Sequence, residues 1–144
     1  MTSRQRLREE MRLRGIRVTP QRSVILETVA HLGGHPTATQ VYRYAVRRLP
    51  GLNPATVYRT LAALRRSGLV DGLDAGGPER FALRDLSHPH HHLVCSSCGS
   101  VLELEPAPIR VLATAVRRRT GFHIHTDHLS LTGRCRACAG DGED

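Results

Sequence analysis

All four cysteines of this 144-residue chain fall in two pairs, Cys95-Ser-Ser-Cys98 and Cys135-Arg-Ala-Cys138. Each C-x-x-C sets two thiols on one tight turn, at the bite a tetrahedral ion requires. Two such turns complete four sulfur donors, which select zinc over oxygen-preferring ions. Four sulfurs leave no position open for water, so the expected zinc is structural. A pair of disulfides or a redox C-x-x-C is the rival reading. The N-terminal Met-Thr-Ser-Arg-Gln-Arg lacks the apolar stretch of a secretion signal. That argues for a cytoplasmic chain in a reducing compartment, where thiols stay free to bind metal.

The second group of donors is imidazole. Nine histidines occur, densest in Ser87-His88-Pro89-His90-His91-His92. In an extended segment His88, His90 and His92 point to one face and His91 to the other. Neutral imidazoles two residues apart suit a divalent transition metal, and Glu103, on a following strand, can add an oxygen. A solvated polar run is the plain alternative. Hydrolytic chemistry has no support: H-E-x-x-H and G-x-S-x-G are absent, and neither cysteine pair follows a proline as in zinc deaminases. No enzyme and no small-molecule substrate is expected.

The elements that must position these donors can be read from their caps. Residues 4–14 form an Arg-rich amphipathic helix stopped by Gly15. Thr19-Pro20 starts a second helix carrying Val24, Ile25, Leu26, Val29 and Leu32 to Gly33-Gly34, and His35-Pro36 forces an extended link. Thr37 or Thr39 caps a third helix, which ends at Pro50-Gly51. The fourth has Asn53 as cap, Pro54 in its first turn and Gly68 beyond its end. Its buried stripe is Val57, Leu61 and Leu64, leaving Thr56, Tyr58, Arg59, Thr60, Arg65 and Arg66 off the stripe. Two strands, Leu69–Leu73 and Arg80–Leu83, flank the turn Asp74-Ala-Gly-Gly-Pro78.

Charge divides the chain. Residues 1–84 hold 15 of the 21 basic side chains against 6 acids, a net of +9; residues 85–144 hold 6 against 7, a net of −1. Helices followed by a hairpin, with a basic exposed last helix, describe a winged helix-turn-helix that binds double-stranded DNA. Tyr58 and Arg59 are the candidates for base contacts, with Thr56 and Arg22 at phosphates. A plain helical bundle with solvated arginines is the alternative.

The second half reads as a small β-rich α/β module closed by zinc. It runs from the histidine strand through Val101–Leu104 to a helix opened by Pro106 and lined by Ile109, Leu112, Ala113 and Val116. A last strand, His123–Leu131, leads to the second cysteine pair. The fold class is therefore α+β. The expected divisions are a head over 1–84, a hinge over 85–92, a zinc-stabilised dimerisation domain over 93–139 and a disordered tail over 140–144. No apolar run reaches membrane-spanning length, so no membrane partner is expected.

Pro20-Gln-Arg22, Ala55-Thr-Val-Tyr-Arg-Thr-Leu61, His90-His-His-Leu-Val-Cys95, Cys98-Gly99 and Gly133-Arg-Cys-Arg-Ala-Cys138 together resemble the ferric-uptake-regulator family. The resemblance covers roughly residues 6–139. It implies a homodimeric, metal-sensing bacterial repressor of metal-homeostasis or oxidative-stress genes, acting at a palindromic operator. It also implies a regulatory divalent metal (Fe²⁺, Zn²⁺, Mn²⁺ or Ni²⁺) on His35, His90, His92 and Glu103, with His88 as an additional candidate. Where the family has an acidic or thiol ligand near the end of the wing, this chain has Ala82 or Arg84; Asp71 and Asp85 are the available substitutes. A further metal site of some relatives maps to His91, His125 and His128, but its carboxylate position holds Arg110. A peroxide-sensing relative, through oxidation near bound iron or at the thiolates, and a zinc-ribbon adaptor for RNA or protein are the alternatives.

Overall fold

The computed structural model describes residues 1–74, 77–84, 90–126 and 129–140. Met1–Leu73 and Glu79–Arg84 form one compact unit, and the described residues from 90 onward belong to a second.

The first unit begins with α1 (Ser3–Leu13), capped by Thr2 in a reciprocal arrangement with Gln5. Such a capping box satisfies two backbone donors that the helix itself cannot. In α2 (Pro20–Leu32) the Thr19 hydroxyl accepts from the Arg22 amide at 3.2 Å. Thr37, rather than Thr39, caps α3 (Ala38–Arg48), again reciprocally with a glutamine, Gln40. Asn53 caps α4 (Pro54–Arg66) by accepting from the Thr56 amide at 3.0 Å. β1 (Val70–Leu73) and β2 (Arg80–Leu83) pair antiparallel, with Val70 opposite Leu83.

This is the winged-helix arrangement, and its core is almost wholly aliphatic. Met11, Ile25, Leu26, Val41, Ala45, Val57, Leu61, Leu64 and Val70 are fully buried, with Phe81 as the one buried aromatic. Thr60, expected off the buried stripe of α4, is only 5 % exposed. The reason is helical geometry: Thr60 lies three residues from Val57 and four from Leu64, so it shares their face.

In the second unit β3 (His91–Cys95) is the central strand of three. β4 (Val101–Leu104) pairs with it antiparallel and β5 (Ser130–Gly133) parallel. Between them α5 (Pro106–Thr120) ends on Gly121, whose φ of +73° closes the helix in the left-handed conformation. One further turn, α6 (Arg136–Ala139), follows β5.

Two expectations change here. The strand expected over His123–Leu131 begins only at Ser130, because β3 offers one free edge and residues 130–133 occupy it. Of the helix positions expected to be lined up on a core, only Ile109 is buried, while Leu112 is 43 % exposed. A three-stranded sheet within one chain is too narrow to cover that face. No helix among the described residues is long and apolar enough to cross a membrane.

Leu61 has no solvent exposure and lies in the main aliphatic core. Leu61→Ala is expected to cost about 2–5 kcal/mol, measured as the denaturant midpoint of the head's unfolding transition.

Candidate metal centre and nucleic-acid interface

Parallel pairing of β3 with β5 is what brings the cysteines together. It sets Cys95, the last residue of β3, opposite Gly133, the last residue of β5. The Ser96 amide and hydroxyl both donate to the Gly133 carbonyl, at 2.8 and 3.1 Å. The first knuckle turns back on Gly99, whose φ is +73° and whose amide donates to the Cys95 carbonyl at 2.9 Å. The second forms around α6, where the Cys138 and Ala139 amides donate to the Cys135 carbonyl.

The result is four sulfurs, from Cys95, Cys98, Cys135 and Cys138, all within 4.8 Å of one another. Cys98 Sγ and Cys135 Sγ are 3.7 Å apart and unbridged by any disulfide. A tetrahedron with Zn–S bonds near 2.3 Å has sulfur–sulfur edges of about 3.8 Å. The donor set therefore fits a structural zinc in both chemistry and spacing.

The environment also prepares the thiols. Backbone amides of Cys135 and Cys98 reach Cys95 Sγ at 3.3 and 3.4 Å. These bonds, Cys135's first, hold the Cys95 thiol down at about 5. Cys135 is lowered as well, chiefly by the Cys138 amide. Cys138 goes the other way, pushed up to about 12 by hydrogen bonding to Cys135 and then to Cys98 and Cys95. Backbone amides thus favour negative charge on Cys95, while the neighbouring thiols oppose it on Cys138.

The histidines divide into three groups. His90 Nε2 lies 3.2 Å from His92 Nε2, with the rings edge-on at 4.8 Å between centroids. Glu103, paired with His92 across the β3–β4 ladder, brings Oε1 to 3.7 Å from His90 Nε2. His90 thus lies near both His92 and Glu103, but among the described residues the four cysteines are the one group of three or more donors close enough together to hold an ion.

His91 is 4 % exposed and its Nδ1 accepts from the Leu129 amide at 3.3 Å. Burial, then His90, lowers its pKa, so the neutral ring with its proton on Nε2 is favoured. His35, in the other unit, is the only non-glycine residue at positive φ among the described residues, +62°. A side chain held in that conformation costs of order 1 kcal/mol, a strain found preferentially at functional positions. His125 and Arg110 are both exposed. His88, Asp85 and His128 lie outside the described residues. Asp71 Oδ1 accepts from both Nε and Nη2 of Arg84, at 2.9 and 2.8 Å. Arg84 therefore engages the carboxylate that the sequence offers as a wing ligand.

On α4 of the first unit, Tyr58 is 56 % exposed and Arg59 projects beside it. Arg59 Nη2 is 3.5 Å from Thr56 Oγ1. A depression of about 360 Å³ is lined by Arg17, Thr19, Gln21, Arg22, Thr56, Arg59 and Thr60. Three guanidiniums and several hydroxyls around a concave surface are the chemistry of a phosphate site. Sequence reasoning selected Arg22, Thr56 and Arg59 but missed Arg17. Its signal, a base just ahead of a Thr-Pro helix start, gains meaning only once α2 and α4 are side by side.

The chain matches the Ferric uptake regulator family over residues 13–132. It is 32% identical over 132 residues to the Peroxide operon regulator of Bacillus subtilis (strain 168), covering 91% of this chain and 90% of that protein. Its structure is similar to that of the Ferric uptake regulator from Pseudomonas aeruginosa with manganese, with a TM-score of 0.70, 32% identity, and coverage of 90% and 98%. It is also similar to a Zinc Uptake Regulator complexed with zinc and DNA, with a TM-score of 0.68, 25% identity, and coverage of 96% and 97%.

If zinc displaces the Cys138 proton, adding Zn²⁺ to metal-free protein at pH 7 releases acid and affinity climbs with pH. A pH indicator in weak buffer reads the release. Cys138→Ser is expected to lose tight zinc and to expose the amides of β3 and β5 to rapid hydrogen exchange, with those of α2 and α4 still protected.

Proposed function

This chain belongs to the ferric uptake regulator family, and from that premise we propose that it is a homodimeric, metal-responsive repressor of a palindromic DNA operator in the cytoplasm. It is a binding protein rather than an enzyme. The observation that carries the reading is the approach of His92 and Glu103 to His90 in a chain whose other unit displays an exposed basic helix. Imidazole and carboxylate donors in that set suit Fe²⁺, Mn²⁺, Zn²⁺ or Ni²⁺, and a bound ion supplies charge neutralisation and fixed geometry among them. The resemblance adds His35 of the head, with residues 85–92 as the hinge, and His88 remains a further candidate. Cys95, Cys98, Cys135 and Cys138 hold the separate structural zinc.

Tyr58 and Arg59 read base edges, and Thr56, Arg22 and Arg17 hold phosphates, as their grouping at one end of α4 and α2 supports. His90 and His92 act by populating the head orientation that matches two half-sites. Moving that population from 1:99 to 99:1 takes roughly 10⁴-fold preference, about 5.5 kcal/mol. Linkage requires operator DNA to tighten metal binding by the same factor.

Dimerisation is supported by the apolar surface the second unit leaves open. Val111, Phe122 and Leu102 are 70, 65 and 56 % exposed, large apolar side chains of the kind an interface covers. A second reading, peroxide sensing, is favoured by the similarity to the Peroxide operon regulator. Peroxide treatment of the iron-loaded protein followed by peptide mass spectrometry decides it. Oxygen added at His90, His91 or His92, or oxidised cysteines, would support that reading, and unmodified peptides would reject it.

The primary test uses a duplex selected by the protein from a randomised pool. Chelator-treated, zinc-retaining protein is titrated with each metal at fixed salt, because DNA affinity depends steeply on salt. One metal is expected to raise affinity at least tenfold, and His90→Ala with His92→Ala to abolish the rise. Equal metal response in that variant would overturn the assignment. Arg59→Ala should weaken operator binding with zinc content unchanged. Val111→Asp should sediment as a monomer.

A further inference from the structure

The four sulfurs of the cysteine cluster are not held alike. Cys95 is buried, and its Sγ accepts from the backbone amides of Cys135 and Cys98 at 3.3 and 3.4 Å. Cys98 is the exposed member of the four, and among the described residues no backbone amide donates to its sulfur. A hydroxyl stands there instead: Ser100 Oγ lies 3.1 Å from Cys98 Sγ. The same hydroxyl hydrogen-bonds Cys135, whose Sγ is 3.7 Å from that of Cys98. Ser100 thus sits over one edge of the sulfur tetrahedron.

The backbone keeps it there. Gly99 turns the chain at a φ of +73°, and the Ser100 carbonyl accepts from the Cys95 amide at 2.9 Å. That leaves the side chain a single heavy-atom torsion, and the hydroxyl proton turns about the C–O bond to suit its partner. In the metal-free cluster the Cys98 thiol donates to Ser100. On zinc Cys98 is a thiolate, and the hydroxyl becomes the donor. Four thiolates on one Zn²⁺ carry a net charge of −2, which charge-assisted donors disperse. Amides do this for Cys95, and Ser100 does it for Cys98. The thiolate lone pair is also what attacks an electrophile, and a lone pair engaged by an O–H attacks more slowly.

We propose that Ser100 guards the structural zinc: its hydroxyl donates to the Cys98 thiolate and slows the reaction of that exposed sulfur with alkylating electrophiles. In that reaction Cys98 Sγ forms a bond to carbon, the carbon–halogen bond breaks and halide leaves with its electron pair. The uncharged thioether that results holds Zn²⁺ poorly, so the ion is released. The inference rests on the structural-zinc reading above.

The test treats full-length, zinc-loaded wild type, Ser100→Ala, Ser100→Thr and Ser97→Ala with iodoacetamide. Released zinc is followed with a colorimetric chelator too weak to remove it unaided, and peptide mass spectrometry times the alkylation of each cysteine. Ser100→Ala is expected to release zinc about fivefold faster, the rate equivalent of one net hydrogen bond, with Cys98 alkylated first. Ser100→Thr keeps the hydroxyl, and Ser97→Ala removes a different one from the same turn; both should release zinc at the wild-type rate. Equal rates in Ser100→Ala and wild type would overturn the inference. So would a Ser100→Thr as fast as Ser100→Ala, since shape rather than the hydroxyl would then be the cause. Faster release in Ser100→Ala with Cys98 no quicker to react would overturn it as well. A wild type that binds no zinc would sink the zinc assignment and this inference together.

Discussion

Four sulfurs within 4.8 Å of one another are the constraint on which the second unit rests. Thiolates packed that closely repel unless a cation or protons neutralise them, and the cluster already shows the conflict. Cys95 is held at about 5 by backbone amides, while Cys138 is driven to about 12 by its neighbours. Parallel pairing of β5 with β3 is what delivers the second cysteine pair to the first. That pairing involves four residues per strand, little to hold a sheet by itself. Thiolate–zinc bonds, worth roughly 10–16 kcal/mol in small peptide systems, make so short a strand a sufficient closure.

The same strand carries two kinds of donor without mixing them. Cys95 stands at the C-terminal end of β3, while His90 and His92 lie at its N-terminal end, facing Glu103 on β4. Soft donors gather at one end and imidazole with carboxylate at the other, so the two kinds of donor are separated by place as well as by chemistry. His91 between them is spent on the backbone: its Nδ1 takes the Leu129 amide and so fixes the start of β5 beside β3. The zinc end and the histidine end are thereby braced by one strand pair.

The head solves a different problem, that of placing many arginines near one another. Its acids are few. Glu27 gathers arginines from α1 and α3, and Asp71 takes a fork from Arg84. These pairings leave Arg17, Arg22 and Arg59 around the depression beside α4. Positive charge is thus neutralised where it would strain the fold and left open where a polyanion can reach it.

By itself the sequence determined what is encoded over a few neighbouring residues. The Thr19 and Asn53 caps, the Pro54 start, the wing hairpin and the C-x-x-C turns were legible, because caps and tight turns are satisfied by residues three or four apart; between Thr37 and Thr39 the structure chose Thr37. Strand alternation and one turn also put His90, His92 and Glu103 near one another, and His90 does lie close to each of the other two. What only the tertiary structure decided depends on residues far apart in the chain. Glu27 with Arg4, Arg8 and Arg48, Asp71 with Arg84, Arg17 beside Arg59, and His91 with the Leu129 amide are pairings of this kind. So is the late start of β5, set by which edge of β3 was free. A side chain's own neighbours in sequence say whether it can pair; only the packing of whole elements says with what.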